Sequence, residues 1–82
     1  MQPSSDQVRE LLRELCQEHG LCYASRELAR FEALVTSGPA LFAEEVLLAE
    51  GLEPAENRAL IIEVRAHVTF VFDQWGLSDD PA

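Results

Sequence analysis

The chain contains no lysine, and its six arginines stand against fifteen acidic residues, leaving a formal net charge of −9. Binding to a phosphate backbone or an anionic membrane draws on cationic counter-charge, so neither nucleic acid nor membrane is expected as a direct partner. Only two histidines are present, which leaves few candidate general bases. A glycine-rich phosphate loop, a nucleophile elbow and a Ser-His-Asp arrangement are all missing. No catalytic residue, metal or cofactor is therefore expected. Long apolar runs are missing too: Glu63, Arg65, His67 and Asp73 interrupt the best candidate, well short of the roughly 18 residues a membrane span needs. Residues Met1 to Gln7 lack a positive region and an apolar stretch, so no secretory leader is expected. A cytoplasmic location follows as the expectation, with Cys16 and Cys22 as reduced thiols.

What is present suits folding. A hydrophobic fraction of 48% in 82 residues supports one domain spanning 1–82, with 78–82 as a flexible acidic tail. An all-arginine basic complement beside abundant Ala, Leu and Glu matches the coding bias of GC-rich bacterial genomes.

The stretch from Glu53 to Gly76 is the longest periodic segment. Read as a helix, Leu60, Ile61, Val64, Val68, Val71, Phe72 and Trp75 share an arc of about 120°. Pro54 suits a first helical position and Gly76 a left-handed ending, after which Leu77 folds back onto Phe72. Strict alternation from Ile62 to Phe70 offers the competing reading, an α+β fold with residues 60–72 as a strand paired across a dimer. In either case apolar surface is left over. On a helix, Ile62, Ala66 and Phe70 make a second stripe away from the core, and this predicts self-association or a protein partner.

Three further helices are expected. Ser4 and Gln7 fit a capping box, and Val8, Leu11, Leu12, Leu15 and Cys16 follow helical spacing up to Gly20. Ser25 to Val35 reads as a second helix capped by Ser25, with Leu28, Phe31, Leu34 and Val35 inward. Pro39 to Glu50 is apolar nearly all round, which places it centrally or in an interface. The expected fold is thus an all-α four-helix bundle, with helices near 4–19, 25–36, 39–50 and 54–75, dimeric through its long last helix. Ile62, Ala66, Phe70, Leu47 and Trp75 are the expected interface residues.

Asp6, Glu10, Glu14 and Glu18 recur every fourth residue and form an acidic ridge, with about 6 Å between successive carboxylates. Arg9 and Arg13 lie within reach of it, as on an ordinary solvated helix face. Cys16, His19 and Cys22 form a Cys-x-x-His-x-x-Cys run. Cys16, however, sits on the apolar face, and a fourth zinc ligand would have to be His67 or a distant carboxylate. Glu63 and His67 are an ordinary four-apart surface pair. The turn before Pro39 resembles a helix-turn-helix, but its second helix carries three Glu and no cation, which excludes DNA contact.

The reading that results is a non-enzymatic bacterial interaction or regulatory protein, homodimeric and bound to another protein. One alternative is an acidic inhibitor or nucleic-acid mimic directed at a basic surface through the ridge. A less favoured one is a small metal-dependent bundle enzyme using Cys16, His19, Glu63 or His67.

Overall fold

Capping chemistry sets the first helix. Ser4 Oγ accepts from the Gln7 backbone N–H at 3.2 Å, while Gln7 Oε1 accepts from the Ser4 N–H at 2.8 Å. This reciprocal pair satisfies two donors that a helix start otherwise leaves open. The computed structural model describes residues 3–77, so the acidic tail expected at 78–82 lies outside the described residues. Within them, α1 (Ser5–His19), α2 (Leu28–Leu34), α3 (Pro39–Ala49) and α4 (Arg58–Gln74) pack as a small four-helix bundle, and no strand occurs among the described residues. The strand alternative for residues 60–72 is overturned: that stretch is α-helical throughout.

Each of three helices ends on a Gly-Leu pair. After α1, Gly20 adopts φ 74°, Gly20 N donates to Cys16 O at 3.0 Å, and Leu21 N donates to Leu15 O at 3.3 Å. A return one residue shorter runs from Leu52 N to Leu47 O and from Leu77 N to Phe72 O, each at 3.0 Å. These are Schellman-type endings, in which a left-handed residue lets the chain satisfy orphan carbonyls and drop an apolar side chain onto the helix just left.

Two boundaries differ from expectation. The segment expected as one helix from Ser25 to Val35 is split into a 3₁₀ turn at Tyr23–Glu27, the short α2, and a second 3₁₀ turn at Val35–Ser37. Ser25 falls inside the first turn, and Glu27 stands at the start of α2 with no side-chain cap. The last helix likewise does not run unbroken from Pro54. Pro54–Glu56 forms a 3₁₀ turn, Asn57 leaves helical geometry at φ −127° and ψ 53°, and its side-chain amide donates to Glu53 O at 2.9 Å. Asn readily forms such local bonds in place of helical ones. At 17 residues, α4 is about 25 Å long, shorter than the segment from Pro54 would give.

The core draws on every helix. Val8, Leu11, Leu12 and Leu15 of α1 meet Phe31 of α2, Phe42, Ala43 and Val46 of α3, and Val64, Val68 and Phe72 of α4, all buried. A run of aromatic contacts ties three helices together. Phe31 and Phe42 meet edge-on at 5.2 Å between centroids, Phe42 and Phe72 edge-on at 5.4 Å, and Trp75 stacks on Phe72 at 5.3 Å. Such geometries add about 0.5–1.5 kcal/mol per pair beyond area burial. Arg30 spans α2 and α3 at the surface, donating to Glu27 at 2.8 Å and to Glu45.

Phe42 is the middle ring of that run and is fully buried. Phe42→Ala is expected to lower the unfolding free energy by about 3–5 kcal/mol in urea titrations, whereas Ser4→Ala should cost about 1 kcal/mol. Equal effects would contradict this placement of the core.

Candidate functional site

Burying Ile61, Val64, Val68 and Phe72 fixes how α4 is rotated, and the opposite face of the helix must then point outward. Ile62 is 58% exposed and Phe70 62%, with exposed Ala66 one turn from each. The three residues form the apolar stripe expected from the spacing. Trp75, also expected at an interface, is half-buried because its ring lies on Phe72.

Leu47 requires correction as an interface residue. It is wholly buried, because α3 turns this residue inward as part of its close packing on α4. Leu41 and Leu48 are the α3 leucines left exposed. A helix apolar on nearly every side gives no polar face from which its rotation can be read, so the sequence could not distinguish these leucines.

The acidic ridge and the apolar stripe prove to be neighbours. Glu10, Glu14 and Glu18 of α1 form one wall of an open groove, and Ala66, Phe70 and Trp75 of α4 contribute to the other. Asp6 stands apart, exposed and paired with Arg9 at 3.2 Å. Glu10 pairs with Arg13, and exposed pairs of this kind contribute little to stability. A second concavity of about 140 Å³, between Val35, Pro39, Thr69 and Phe72, is smaller than most ligand sites.

His67 lines the groove, and His19 lies beside it. His67 projects from α4 toward α1, where its Nε2 lies 3.0 Å from Glu14 Oε1. Its Nδ1 lies 3.3 Å from Nε2 of His19, at the last turn of α1. Glu18 joins them: a ligand-capable atom from each of Glu18, His19 and His67 lies within 4.8 Å of the other two. Glu63 is exposed and outside this group, so its four-residue spacing from His67 does not bring the pair to one site.

The cysteines depart from expectation. Cys16 and Cys22 are joined as a disulfide, with Cα atoms 4.2 Å apart. Gly20 reverses the chain immediately after α1, and this carries Cys22 back beside the final turn. The sulfurs are bonded to each other, so the Cys-x-x-His-x-x-Cys run does not act as a ligand set. The spacing of Cys16 and Cys22 in the sequence permits such a bond but gives no support for it; the reversal at Gly20 brings the two side chains together.

A disulfide closing so short a loop removes unfolded-state freedom equivalent to about 2 kcal/mol in the chain-entropy model. The double variant Cys16→Ser/Cys22→Ser should keep its helical circular dichroism and lose stability by about that amount. Reducing the unaltered protein should produce the same loss in urea titrations; no response to reductant would contradict the pairing. No protein-family model, curated protein or solved structure matches the chain.

Proposed function

We propose that this chain is a non-enzymatic protein-interaction module that works as a homodimer, joined through the outward face of α4. The observation that carries the reading is the exposure of Ile62 and Phe70 on a helix whose opposite face is fully committed to the core. Contiguous apolar surface of this kind marks an interaction site.

The residue order on α4 suits an antiparallel pair with its two-fold axis at Ala66. Ile62 and Phe70 flank Ala66 by one turn on either side, so each would meet the other's counterpart across the axis. The small alanine at the centre permits close approach of the two backbones. Farther out, exposed Arg58 and Asp73 lie about two turns either side of Ala66, and neither forms an ion pair among the described residues. The same symmetry brings Arg58 of one copy beside Asp73 of the other. This charge match favours a second copy as the occupant despite the net charge of −9.

A second reading has its own support. The groove sets the carboxylates of Glu10, Glu14 and Glu18 opposite Phe70 and Trp75, a surface suited to a basic amphipathic segment of another protein. In this reading the chain is an acidic inhibitor or mimic. The bacterial origin inferred from composition accords with both readings. Cytoplasmic localisation has one observation against it, the Cys16–Cys22 disulfide, since disulfides persist mainly in oxidising compartments. No helix among the described residues is long and apolar enough to cross a membrane.

Two variants separate the readings. Ile62 does not line the groove, so Ile62→Glu should abolish dimerisation and spare groove binding. Sedimentation at tens of micromolar is expected to give twice the chain mass for the unaltered protein and the chain mass for Ile62→Glu, with unchanged circular dichroism. A monomer mass for the unaltered protein would defeat the dimer reading. Glu10→Gln/Glu14→Gln should abolish capture of a basic partner, and undiminished capture would eliminate the groove.

A further inference from the structure

His19 and His67 are not used by either interaction reading. We propose that Glu18, His19 and His67 form a binding site for one late first-row divalent cation, zinc foremost. Consecutive helical residues such as Glu18 and His19 point about 100° apart, so they converge on one atom only if a neighbouring element closes the gap. His67 of α4 does so. Its Nδ1 lies 3.3 Å from His19 Nε2, and metal–nitrogen bonds of about 2.0–2.1 Å in a tetrahedron require a nitrogen–nitrogen separation of about 3.3–3.4 Å. The rings meet edge-on, at an interplanar angle of 60° and a centroid distance of 5.5 Å, so the facing nitrogens approach at their edges without the rings stacking. The Glu18 carboxylate, exposed and within 4.8 Å of a ring nitrogen of each histidine, would supply the third ligand.

Glu14 supplies the feature that separates this arrangement from a chance meeting of histidines. Its Oε1 accepts from His67 Nε2 at 3.0 Å, which holds the imidazole proton on that nitrogen and leaves the Nδ1 lone pair facing His19. A carboxylate behind a histidine ligand orients the ring and raises its basicity. A cation between the rings would take the lone pairs of His19 Nε2 and His67 Nδ1, with the His19 ring proton held on its Nδ1. Two imidazoles and one carboxylate suit zinc, nickel or copper better than magnesium or calcium. Three protein ligands leave a coordination position for water or for a group on a partner. Bound metal would clasp the end of α1 to the middle of α4.

The test is calorimetric titration of the untagged, oxidised full chain with zinc chloride, alongside visible absorption with cobalt(II). One equivalent should bind, with the cobalt bands of a four-coordinate site. His19→Ala and His67→Ala should each weaken binding about 100-fold or more. Glu14→Gln should weaken it about 10-fold with unchanged stoichiometry, the signature of a positioning residue. Cys16→Ser/Cys22→Ser should bind as the unaltered protein does. Absence of saturable binding, unchanged affinity in a folded His19→Ala variant, or loss of binding in a folded double-serine variant would each overturn the proposal.

Discussion

Burial of one stripe of α4 governs the molecule. Ile61, Val64, Val68 and Phe72 press into the bundle, and removing such side chains from water contributes about 1.5–3 kcal/mol each. A helix is rigid in rotation, so those four commitments dictate the direction of every other residue on it. Ile62, Ala66 and Phe70 must face solvent, and His67 must face α1. A turn of the helix large enough to bury Phe70 would withdraw Val64 or Phe72 from the core. The exposed stripe is therefore a consequence of good packing on the other side.

The same constraint joins features that looked separate along the chain. Glu10, Glu14 and Glu18 of α1 and Ala66 and Phe70 of α4 are far apart in sequence, yet they line one groove. His19 closes α1 and His67 occupies the middle of α4, and their rings meet where the helices pass. Glu14 belongs to the ridge by spacing and to the histidine cluster by contact, and so connects the two. One seam between α1 and α4 thus holds both the surface for a protein partner and the ligands proposed for a cation.

Local chemistry explains how much of this was readable beforehand. Ser4, Gln7 and the spaced leucines of α1 specify a helix through contacts a few residues apart, and the structure keeps them. The Gly-Leu endings are equally local and equally legible. The inner face of α4 could be read because Leu60, Ile61, Val64, Val68, Val71, Phe72 and Trp75 share one arc of the helix. Legibility fails where long-range placement decides. Leu47 and Leu48 differ only in which way α3 is turned, and nothing within an all-apolar helix records that. Tyr23–Glu27 and Pro54–Glu56 are helix-like in composition but tighten into 3₁₀ turns. The Cys16–Cys22 bond depends on a chain reversal, and the meeting of His19 with His67 depends on two helices packing side by side.

The two isoleucines of the chain are adjacent, and α4 sends Ile61 inward at 9% exposure and Ile62 outward at 58%. Selective labelling of their δ1 methyl groups gives a two-signal spectrum that reads the two faces of α4 separately. On dilution from millimolar to low micromolar protein, the Ile62 signal is expected to move along a dimer-dissociation curve while the Ile61 signal stays in place. Two stationary signals, or movement of Ile61 alone, would contradict the account.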